Sequence, residues 1–331
     1  MKVIVDNKIP YIKEAIEALA DEVVYLPGKE ITPEVVKDDA LITRTRTRCD
    51  RTLLAGSKVK FIGTATIGFD HIDTAYCHEA GITWSNCPGC NAGAVEQYLH
   101  SSLLLLEQEK SIKLKDACLG IVGVGHVGSR IQRLGMRVLL NDPPRADHGE
   151  KGFVDLRTLA CECDIITFHT PLERSGKYQT YHLANESFFN QLEKKPYIIN
   201  TSRGEVIETE AILNALATGK ISGAIIDVWE NEPNINLELL DKVFIGTPHI
   251  AGYSADGKAN ATRMVLESFC RFFGKEMKFS IVPPEQPHVL YDSNENVRQL
   301  QMYNPHLDCE VLRTHPETFE QLRSEYHLRR E

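Results

Sequence analysis

Three stretches in the second half of the chain hold the residue types that a hydride-transfer site needs. They are "INTSRGEVIE", "IIDVWENEP" and "IGTPHIAGYS", which contain Arg203, the acidic residues Asp227, Glu230 and Glu232, and His249. An imidazole, with an ordinary pKa of about 6.5, can exchange a proton near neutral pH, and a nearby carboxylate stabilises its protonated form. A guanidinium can hold a carboxylate through parallel hydrogen bonds. The plainer alternative is a salt-bridged arginine and glutamate with a histidine in a turn.

The elements that must position these side chains are strands, because each stretch follows a short apolar, β-branched run. In open α/β sheets, ligands bind outside the carboxyl ends of the strands. The order of strands and helical patterns therefore predicts that the three stretches lie at a ligand-binding edge. On chemistry alone, Glu230 and Glu232 remain equal candidates for the partner of the histidine.

A glycine-rich stretch, "GIVGVGHVGS", places Gly123, Gly125 and Gly128 between an apolar run and a helical pattern. In such a loop the first glycine permits a tight turn, the second lets the backbone approach a pyrophosphate, and the third lets helix and strand pack closely. The next strand, "MRVLLND", ends at Asp142, whose carboxylate can accept the ribose hydroxyls and repel a 2′-phosphate. Although Arg145 follows closely, and Asp142 could simply begin a turn, the pattern favours NAD over NADP.

The whole chain alternates strand and helix patterns, which is typical of parallel sheets with helices on both faces. The sequence predicts an α/β protein of two Rossmann-like or flavodoxin-like domains with a cleft between them. The expected domains are 1–92 with 255–280 for substrate, 93–254 for NAD, and a short C-terminal appendage at 281–331. A long helix is expected after Asn91, its N-cap, and another over 255–273.

The stretch "ALITRTRTRCD" alternates arginine with threonine at residues 43–48. In an extended chain, this spacing sends Arg44, Arg46 and Arg48 to one face and the threonines to the other. The formal net charge of −9 argues against a nucleic-acid partner and against an anionic membrane surface. A local positive patch on an acidic chain fits a small anion, or else a salt-bridged edge.

The 9 cysteines form no disulfide framework, and the chain has neither a signal-peptide pattern nor an apolar run long enough for a membrane span. These features predict a cytoplasmic protein. "CPGC", from Cys87 to Cys90, has the spacing of a redox pair or half a zinc site, but no second C-x-x-C accompanies it. We interpret it as a Pro-Gly turn and expect no metal.

Over residues 1–280 the chain resembles the NAD-dependent D-2-hydroxyacid dehydrogenases, through "NTSRGEVIETEAIL", "DVWENEP" and "TPHIAGYS". The phrases "FIGTATIGFDHID", "PGCNAGAVEQY" and "NDPPRAD" are most similar to members that act on a small phosphorylated 2-hydroxy acid. The resemblance implies Arg203, Glu232 and His249 as the catalytic residues, and it is what favours Glu232 over Glu230. It also implies cofactor contacts from Gly123, Gly125, His126, Val127, Gly128, Asp142, Thr170, Thr201, Ser202, Asp227 and Gly252, and substrate contacts from Thr45, Thr66 and Tyr253.

Since Thr45 lies within the arginine-threonine stretch, we expect it to bind the second anionic group of the substrate together with one or more of Arg44, Arg46 and Arg48, of which Arg44 and Arg46 are the leading candidates. Strict alternation would aim the threonine and the arginines at opposite faces, so this prediction requires the loop to leave strand geometry. Two departures from the family pattern are a helix after Gly128 that is about one turn short, and a short C-terminal segment. The family implies a homodimer.

Two other functions stay open from the sequence. One is another reaction of the same family, such as oxidation of 3-phosphoglycerate or reduction of glyoxylate or hydroxypyruvate. The other is a non-catalytic NAD-sensing protein on the same fold. Turnover of any 2-hydroxy acid would separate the second from the first.

Overall fold

A computed structural model of the chain describes residues 1–278, 280–285 and 291–331. These residues form two compact units. The first unit comprises Met1–Asn91, Ser254–His288 and Arg330–Glu331, and the second comprises Ala92–Tyr253 and Val289–Arg329.

The first unit is built around a five-stranded parallel sheet of order β2-β1-β3-β4-β5, the flavodoxin-like order. Its elements before residue 92 are β1 (Lys2–Asp6), α1 (Lys13–Glu17), β2 (Glu22–Leu26), β3 (Ala40–Thr43), α2 (Arg51–Leu54), β4 (Phe61–Thr64), α3 (Thr74–Glu79) and β5 (Thr83–Ser85). The strand order reverses direction between β1 and β3, which are neighbours, so the crevice at their carboxyl ends is a topological switch point.

The second unit holds a six-stranded parallel sheet of order β11-β10-β9-β8-β6-β7. Its elements are α4 (Ala92–Lys110), β6 (Cys118–Val122), α5 (His126–Ile131), β7 (Arg137–Asn141), α6 (Pro143–Asp147), α7 (Leu156–Glu162), β8 (Ile165–Phe168), α8 (Glu186–Asn190), β9 (Tyr197–Asn200), α9 (Thr209–Ala217), β10 (Gly223–Ile226), α10 (Leu237–Lys242) and β11 (Ile245–Gly246). The switch point of this sheet lies between β6 and β8. The prediction of two parallel-sheet α/β domains is confirmed.

Helix α11 (Ala255–Phe273) belongs to the first unit, and three further helices, α12 (Glu295–Met302), α13 (Pro305–Thr314) and α14 (Phe319–Ser324), belong to the second. Short 3-10 helices cover Gly28–Glu30, Leu114–Asp116, Gly204–Val206 and Pro316–Thr318.

Each sheet is covered on both faces, because successive buried residues of a strand point to opposite sides. In the first unit, Val3 and Val5 pack with α1 and α11, whereas Ile4 packs against α2 and α3. In the second unit, Ile166 packs with α7, α8 and α9, whereas Ile165 packs with α4. These continuous apolar strands explain why the sequence pattern predicts them well.

The C-terminal segment differs from the predicted separate appendage. Its buried residues Tyr303 and Cys309 join one core of the second unit, and Leu312 and Phe319 join the other. The segment has too few apolar residues for a core of its own, and it completes both existing ones. The last helix, α14, ends at Ser324, and Arg329 lies in extended backbone beyond it.

Helix α5 spans only His126–Ile131, as the short interval after Gly128 predicts. Within the described ranges, every helix is too short or too polar to cross a bilayer. The same part of the chain contains no group of three or more His, Cys, Asp or Glu residues that could hold a metal ion.

Candidate active site

The three glycines of the dinucleotide pattern have three different surroundings. A Cβ on Gly123, whose φ is +88°, would lie 2.7 Å from the carbonyl oxygen of His169. A Cβ on Gly128 would lie 2.4 Å from the carbonyl oxygen of Gly123, whereas nothing lies within 4 Å of one on Gly125. The loop is therefore closed on the protein side and open at Gly125, where a pyrophosphate must approach.

The residues beside this loop also fit a dinucleotide. The hydroxyl oxygen of Thr170, just after β8 at the switch point, is buried and has no hydrogen-bond partner within the described residues. A buried hydroxyl without a partner is costly unless a ligand supplies one. His126 is exposed and Val127 half-buried at the start of α5. The site thus offers an open loop, a helix N-terminus and an unsatisfied hydroxyl.

The sequence left two roles open for Asp142, ribose binding and the start of a turn, and the structure adds a contact with the glycine loop. One carboxylate oxygen accepts the backbone N–H of Arg145 at 3.2 Å and begins α6, and the other accepts that of Val124 at 2.9 Å. A carboxylate has about four lone-pair sites, so it can still accept ribose hydroxyls. The guanidinium of Arg145 is paired with Glu150 and donates to the carbonyl oxygen of Val124 at 2.6 Å. Because that cation is engaged by an anion, the arginine gives weak support for NADP.

The histidine and one glutamate form a close pair at the ends of β11 and β10. Nδ1 of His249 lies 2.8 Å from Oε2 of Glu232, and Oε1 of that glutamate accepts the backbone N–H of Trp229 at 2.9 Å. Burial raises the pKa of Glu232, but the imidazole and the hydrogen bonds outweigh it and hold the pKa below its ordinary value. The arrangement keeps a carboxylate charged against one ring nitrogen and leaves Nε2 for a proton transfer.

The other glutamate is committed elsewhere. Glu230 lies 2.7 Å from Nε2 of His182 and accepts the backbone N–H of Thr209 at 2.9 Å. Although the two glutamates are only two residues apart in the chain, their carboxylates therefore pair with two different histidines. The choice that chemistry alone left open is decided by geometry in favour of Glu232 as the partner of His249.

Arg203 follows β9, which is the neighbour of β10, and precedes the 3-10 helix Gly204–Val206. One guanidinium nitrogen donates to the carbonyl oxygen of Ser202 at 2.7 Å. A Cβ on Gly204 would lie only 2.0 Å from the carbonyl carbon of Trp229. The backbone after Arg203 is therefore packed directly on the segment that leads to Glu232, and only glycine permits this approach.

Asp227 is 1% exposed at the end of β10. Its carboxylate accepts the Thr247 hydroxyl at 2.7 Å and the backbone N–H groups of Ile250 and Ala251 at 2.7 and 3.0 Å. Burial raises the pKa of Asp227 against these opposing hydrogen bonds. The carboxylate thus holds the loop that follows His249, which is a role beyond the cofactor contact that the family resemblance implies.

The remaining predicted cofactor residues line the same edge. The hydroxyl of Ser202 donates to the side chain of Asn200 at 2.8 Å, and the hydroxyl of Thr201 lies 3.2 Å from Nδ1 of His169. His169 was not predicted from the sequence. Removal of the ring from water lowers the pKa of His169 to about 3, which keeps it neutral between Thr201 and Thr167. The sequence feature that could have identified His169 is its position directly after a predicted strand. Gly252 and Tyr253 are half-buried in the loop after His249.

The arginine-threonine stretch does not keep strict alternation. Strand β3 ends at Thr43, and a turn follows, with Thr45 and Arg46 exposed. The guanidinium of Arg44 lies 3.4 Å from the buried carboxylate of Asp6, and the hydroxyl of Thr47 donates to the carbonyl oxygen of Gly28 at 3.0 Å. The expected three-cation face therefore becomes one internal ion pair and an exposed turn at the switch point of the first unit.

Two further features of the first unit concern predicted residues. The hydroxyl of Thr66 lies 2.7 Å from that of Thr64 and donates to the carbonyl oxygen of Gly68 at 2.9 Å. Cys87 and Cys90 are buried free thiols, and the sulfur of Cys87 donates to the carbonyl oxygen of Ala261 at 3.2 Å. These thiols are packed as small core residues.

Comparison with known proteins defines the class. Residues 94–251 match the family model of the NAD-binding domain of D-isomer-specific 2-hydroxyacid dehydrogenases. The D-lactate dehydrogenase of Aquifex aeolicus, complexed with NAD and lactic acid, is 26% identical with a TM-score of 0.68, over 83% of this chain and 96% of that one. The NAD-bound 3-phosphoglycerate dehydrogenase of Entamoeba histolytica is 28% identical with a TM-score of 0.69, over 85% and 98%. The chain belongs to the D-isomer-specific 2-hydroxyacid dehydrogenase family, and NAD is its cofactor.

Within that family, the chain is similar over its full length to erythronate-4-phosphate dehydrogenases. The chain is 62% identical over 338 residues to the enzyme of Bacteroides fragilis, covering 100% of this chain and 97% of that one. It is 59% identical to the enzyme of Bacteroides thetaiotaomicron over the same shares. The predictions of the family, of an NAD-dependent enzyme and of similarity to members with a phosphorylated substrate are confirmed.

Proposed function

We propose that this protein oxidises 4-phospho-D-erythronate to (R)-3-hydroxy-2-oxo-4-phosphobutanoate with NAD, as a step of pyridoxal 5′-phosphate biosynthesis. The full-length similarity to erythronate-4-phosphate dehydrogenases supports the substrate. The observation that carries the reaction class is the pair formed by His249 and Glu232, which follows two neighbouring strands of the NAD-binding unit.

In this reaction His249 acts as the base. Its Nδ1 faces the carboxylate of Glu232, so Nε2 is the nitrogen that takes the proton of the C2 hydroxyl. The negative Glu232 stabilises the imidazolium that forms, and Arg203 holds the substrate carboxylate and polarises the C2 oxygen. NAD, when held at the glycine loop, would supply the acceptor for the hydride that leaves C2.

The groups that hold NAD are those around the open glycine loop. The loop amides from Gly123 to Gly128 would donate to the pyrophosphate, and Asp142 would accept hydrogen bonds from the ribose hydroxyls. The buried hydroxyl of Thr170, which has no partner within the described residues, would bond to the cofactor. His126 and Val127 flank the loop, and Thr201, Ser202, Asp227 and Gly252 complete the nicotinamide end of the proposed site.

The phosphate of the substrate binds at the switch point of the first unit. Arg46 supplies positive charge there and Thr45 an exposed hydroxyl, on a turn that follows β3. Arg44 adjoins them, with part of its charge offset by its pairing with Asp6. Ligands of open α/β sheets bind at such crevices. Thr66 and Tyr253 are further proposed contacts of the substrate. We propose that the enzyme acts as a homodimer in the cytoplasm, which sedimentation of the purified protein and cell fractionation test.

The test is NADH fluorescence with 4-phospho-D-erythronate, 3-phosphoglycerate and D-lactate side by side. A 2-oxo acid is added afterwards to recycle the cofactor, and its re-oxidation of NADH should lower the signal again. His249→Gln is the negative control, because glutamine keeps a polar side chain but has no titrating group. We expect selective turnover of the first acid and a loss of ~10²-fold or more in the variant, with NAD binding retained.

Preference for 3-phosphoglycerate, or for glyoxylate or hydroxypyruvate in the reverse direction, would replace the substrate within the same reaction class. Absence of turnover with NAD still bound would favour the non-catalytic NAD-sensing function. Wild-type turnover in His249→Gln would overturn the proposed base.

A further inference from the structure

A buried arginine from the C-terminal segment reaches the loop that carries His249. Arg329 is 7% exposed. Its guanidinium donates to the carbonyl oxygen of Ala251 at 2.7 Å and to that of Ile250 at 3.2 Å. It also donates to the side chain of Gln97 at 2.9 Å and to the carbonyl oxygen of Ala94 at 3.2 Å, both on α4. One side chain thus ties the loop after the histidine to the long helix of the same unit.

The backbone of the same two residues, Ile250 and Ala251, is also held by Asp227. Its carboxylate accepts the N–H groups of Ile250 and Ala251, whose carbonyl oxygens accept from Arg329. A buried anion and a buried cation therefore hold the backbone of two successive residues. Hydrogen bonds to charged groups are among the strongest in proteins, and both charges need them because neither is in water. His249, directly before these two residues, has a φ of +58°, a conformation that surrounding contacts must maintain.

The site contains a second arginine of this segment. Arg323, on α14, places a guanidinium nitrogen 3.8 Å from Oε2 of Glu232, the oxygen that faces His249. The ring of Tyr326 packs edge-on against Tyr253, with centroids 6.2 Å apart. Three side chains of one short stretch thus contact the catalytic pair or its loop, which argues for a role beyond closing a core.

We propose that Arg329 is a positioning residue for the reaction: together with Asp227 it fixes the loop after His249, so that the C-terminal segment is a part of the active site. The inference rests on the proposed function where kcat is measured, whereas hydrogen exchange of the loop tests it without any substrate. It assigns Arg329 no contact with substrate or cofactor. It affects the reaction rate indirectly, because it fixes the position of the His249 imidazole.

The experiment compares Arg329→Met and Arg329→Lys with Arg313→Met. Arg313 is the matched control, because it also ties the C-terminal segment to backbone carbonyl oxygens, those of Leu240 and Val243, away from the catalytic loop. Misplacing a catalytic group by about 1 Å can cost ~10²-fold in rate. We expect Arg329→Met to lower kcat by ~10²-fold with KM within about threefold, because the loss is felt chiefly in the transition state. The kcat of Arg329→Lys should lie between those of Arg329→Met and the wild type, and the kcat of Arg313→Met should stay within about threefold of the wild type.

Two further measurements separate positioning from general damage. In Arg329→Ala, added ethylguanidine should restore part of kcat, since it can reoccupy the vacated space and donate to the same carbonyl oxygens. Hydrogen exchange of the Ile250 and Ala251 amides should accelerate in Arg329→Met but not in Arg313→Met, and this measurement needs no substrate.

Equal losses of kcat and equal exchange in the Arg329 and Arg313 variants would mean that both arginines merely anchor the segment, and would overturn the proposal. Wild-type kcat and exchange in Arg329→Met would also overturn it. If wild-type protein turns over no 2-hydroxy acid, the proposed function fails while the exchange measurement still decides whether Arg329 fixes the loop. If Arg329→Met does not fold, the same measurements on Arg329→Lys decide.

Discussion

The two glutamates of "DVWENEP" show how a site is decided at the scale of single residues. Both have lowered pKa values, and both face a histidine, yet Glu232 pairs with His249 while Glu230 pairs with His182. The strand before them ends at Ile226, so backbone geometry after the strand aims them apart. A pattern of residue types cannot carry that information, because the directions of the side chains depend on the neighbouring loops.

Exchanging each glutamate for glutamine tests this assignment. Glu232→Gln removes the charge that stabilises the imidazolium of His249, so we expect kcat to fall ~10- to 100-fold at neutral pH. Glu230→Gln changes a pair with His182 and should leave kcat within about threefold. Steady-state kinetics of the two variants under one set of conditions gives the comparison. Equal losses would show that the pairing does not distinguish their roles.

Glu232 also predicts a pH dependence of stability. The folded state lowers its pKa below the ordinary value of 4.5, so ionised Glu232 contributes stability above that value and loses it as the pH falls through the folded-state pKa. The wild type should therefore lose unfolding free energy relative to Glu232→Gln as the pH is lowered from 4.5. Urea unfolding of both proteins across this range measures the difference. A constant difference would mean that Glu232 is not ionised more readily when folded.

Asp142→Ser is expected to relax the preference for NAD over NADP. Serine can still accept an N–H at the start of α6, so the variant removes the negative charge and keeps a helix cap. Ratios of kcat/KM for the two cofactors report the change, and the melting temperature serves as the control for folding. An unchanged ratio would place ribose recognition elsewhere.

At the scale of elements, the arginine-threonine stretch becomes a turn because β3 ends at Thr43 and the chain must leave the sheet at a switch point. Arg44 turns inward to the buried Asp6, which explains one arginine structurally. Arg46 stays exposed on the turn, and Arg48 pairs with Asp50 at 3.0 Å. The three cations therefore have three different environments despite their regular spacing.

This difference makes Arg46 the informative substitution. Arg46→Met should raise KM for 4-phospho-D-erythronate by ~10-fold, since it removes a charged hydrogen bond to phosphate. Arg48→Met is the matched control from the same stretch and should leave KM within about twofold. The same pair assayed with a non-phosphorylated 2-hydroxy acid should show no such gap. A similar rise in KM for both acids in Arg46→Met would contradict the phosphate contact. Arg44→Met is a poor choice because it leaves buried Asp6 without its cation.

At the scale of the whole molecule, each unit has its own switch point and its own set of polar residues. The glycine loop, Arg203, Glu232 and His249 belong to the second unit, and residues 44–48 belong to the first. A ligand that binds the native state protects the groups it contacts and adds stability according to its concentration relative to Kd.

Hydrogen exchange should therefore separate the two ligands. NAD is expected to slow exchange at residues 123–128 of the second unit, and 4-phospho-D-erythronate at residues 44–48 of the first. Inorganic phosphate alone provides the control for the second effect and should protect residues 44–48 weakly. Protection of residues 44–48 by NAD alone would contradict the assignment of NAD to the second unit and of the substrate phosphate to the first.

The sequence by itself determined the fold class and the glycine loop, and it identified His249 with Glu230 and Glu232 as candidates for a charged pair. Buried parallel strands need continuous apolar runs, and a tight phosphate-binding turn needs glycine at particular positions, so both leave a local record. Only the tertiary structure decided which glutamate faces His249, that His169 is neutral, and that Arg329 and Asp227 both hold the catalytic loop. These contacts join residues far apart in the chain, such as Arg329 and Ala251, and their strength depends on burial and direction, which no short pattern records.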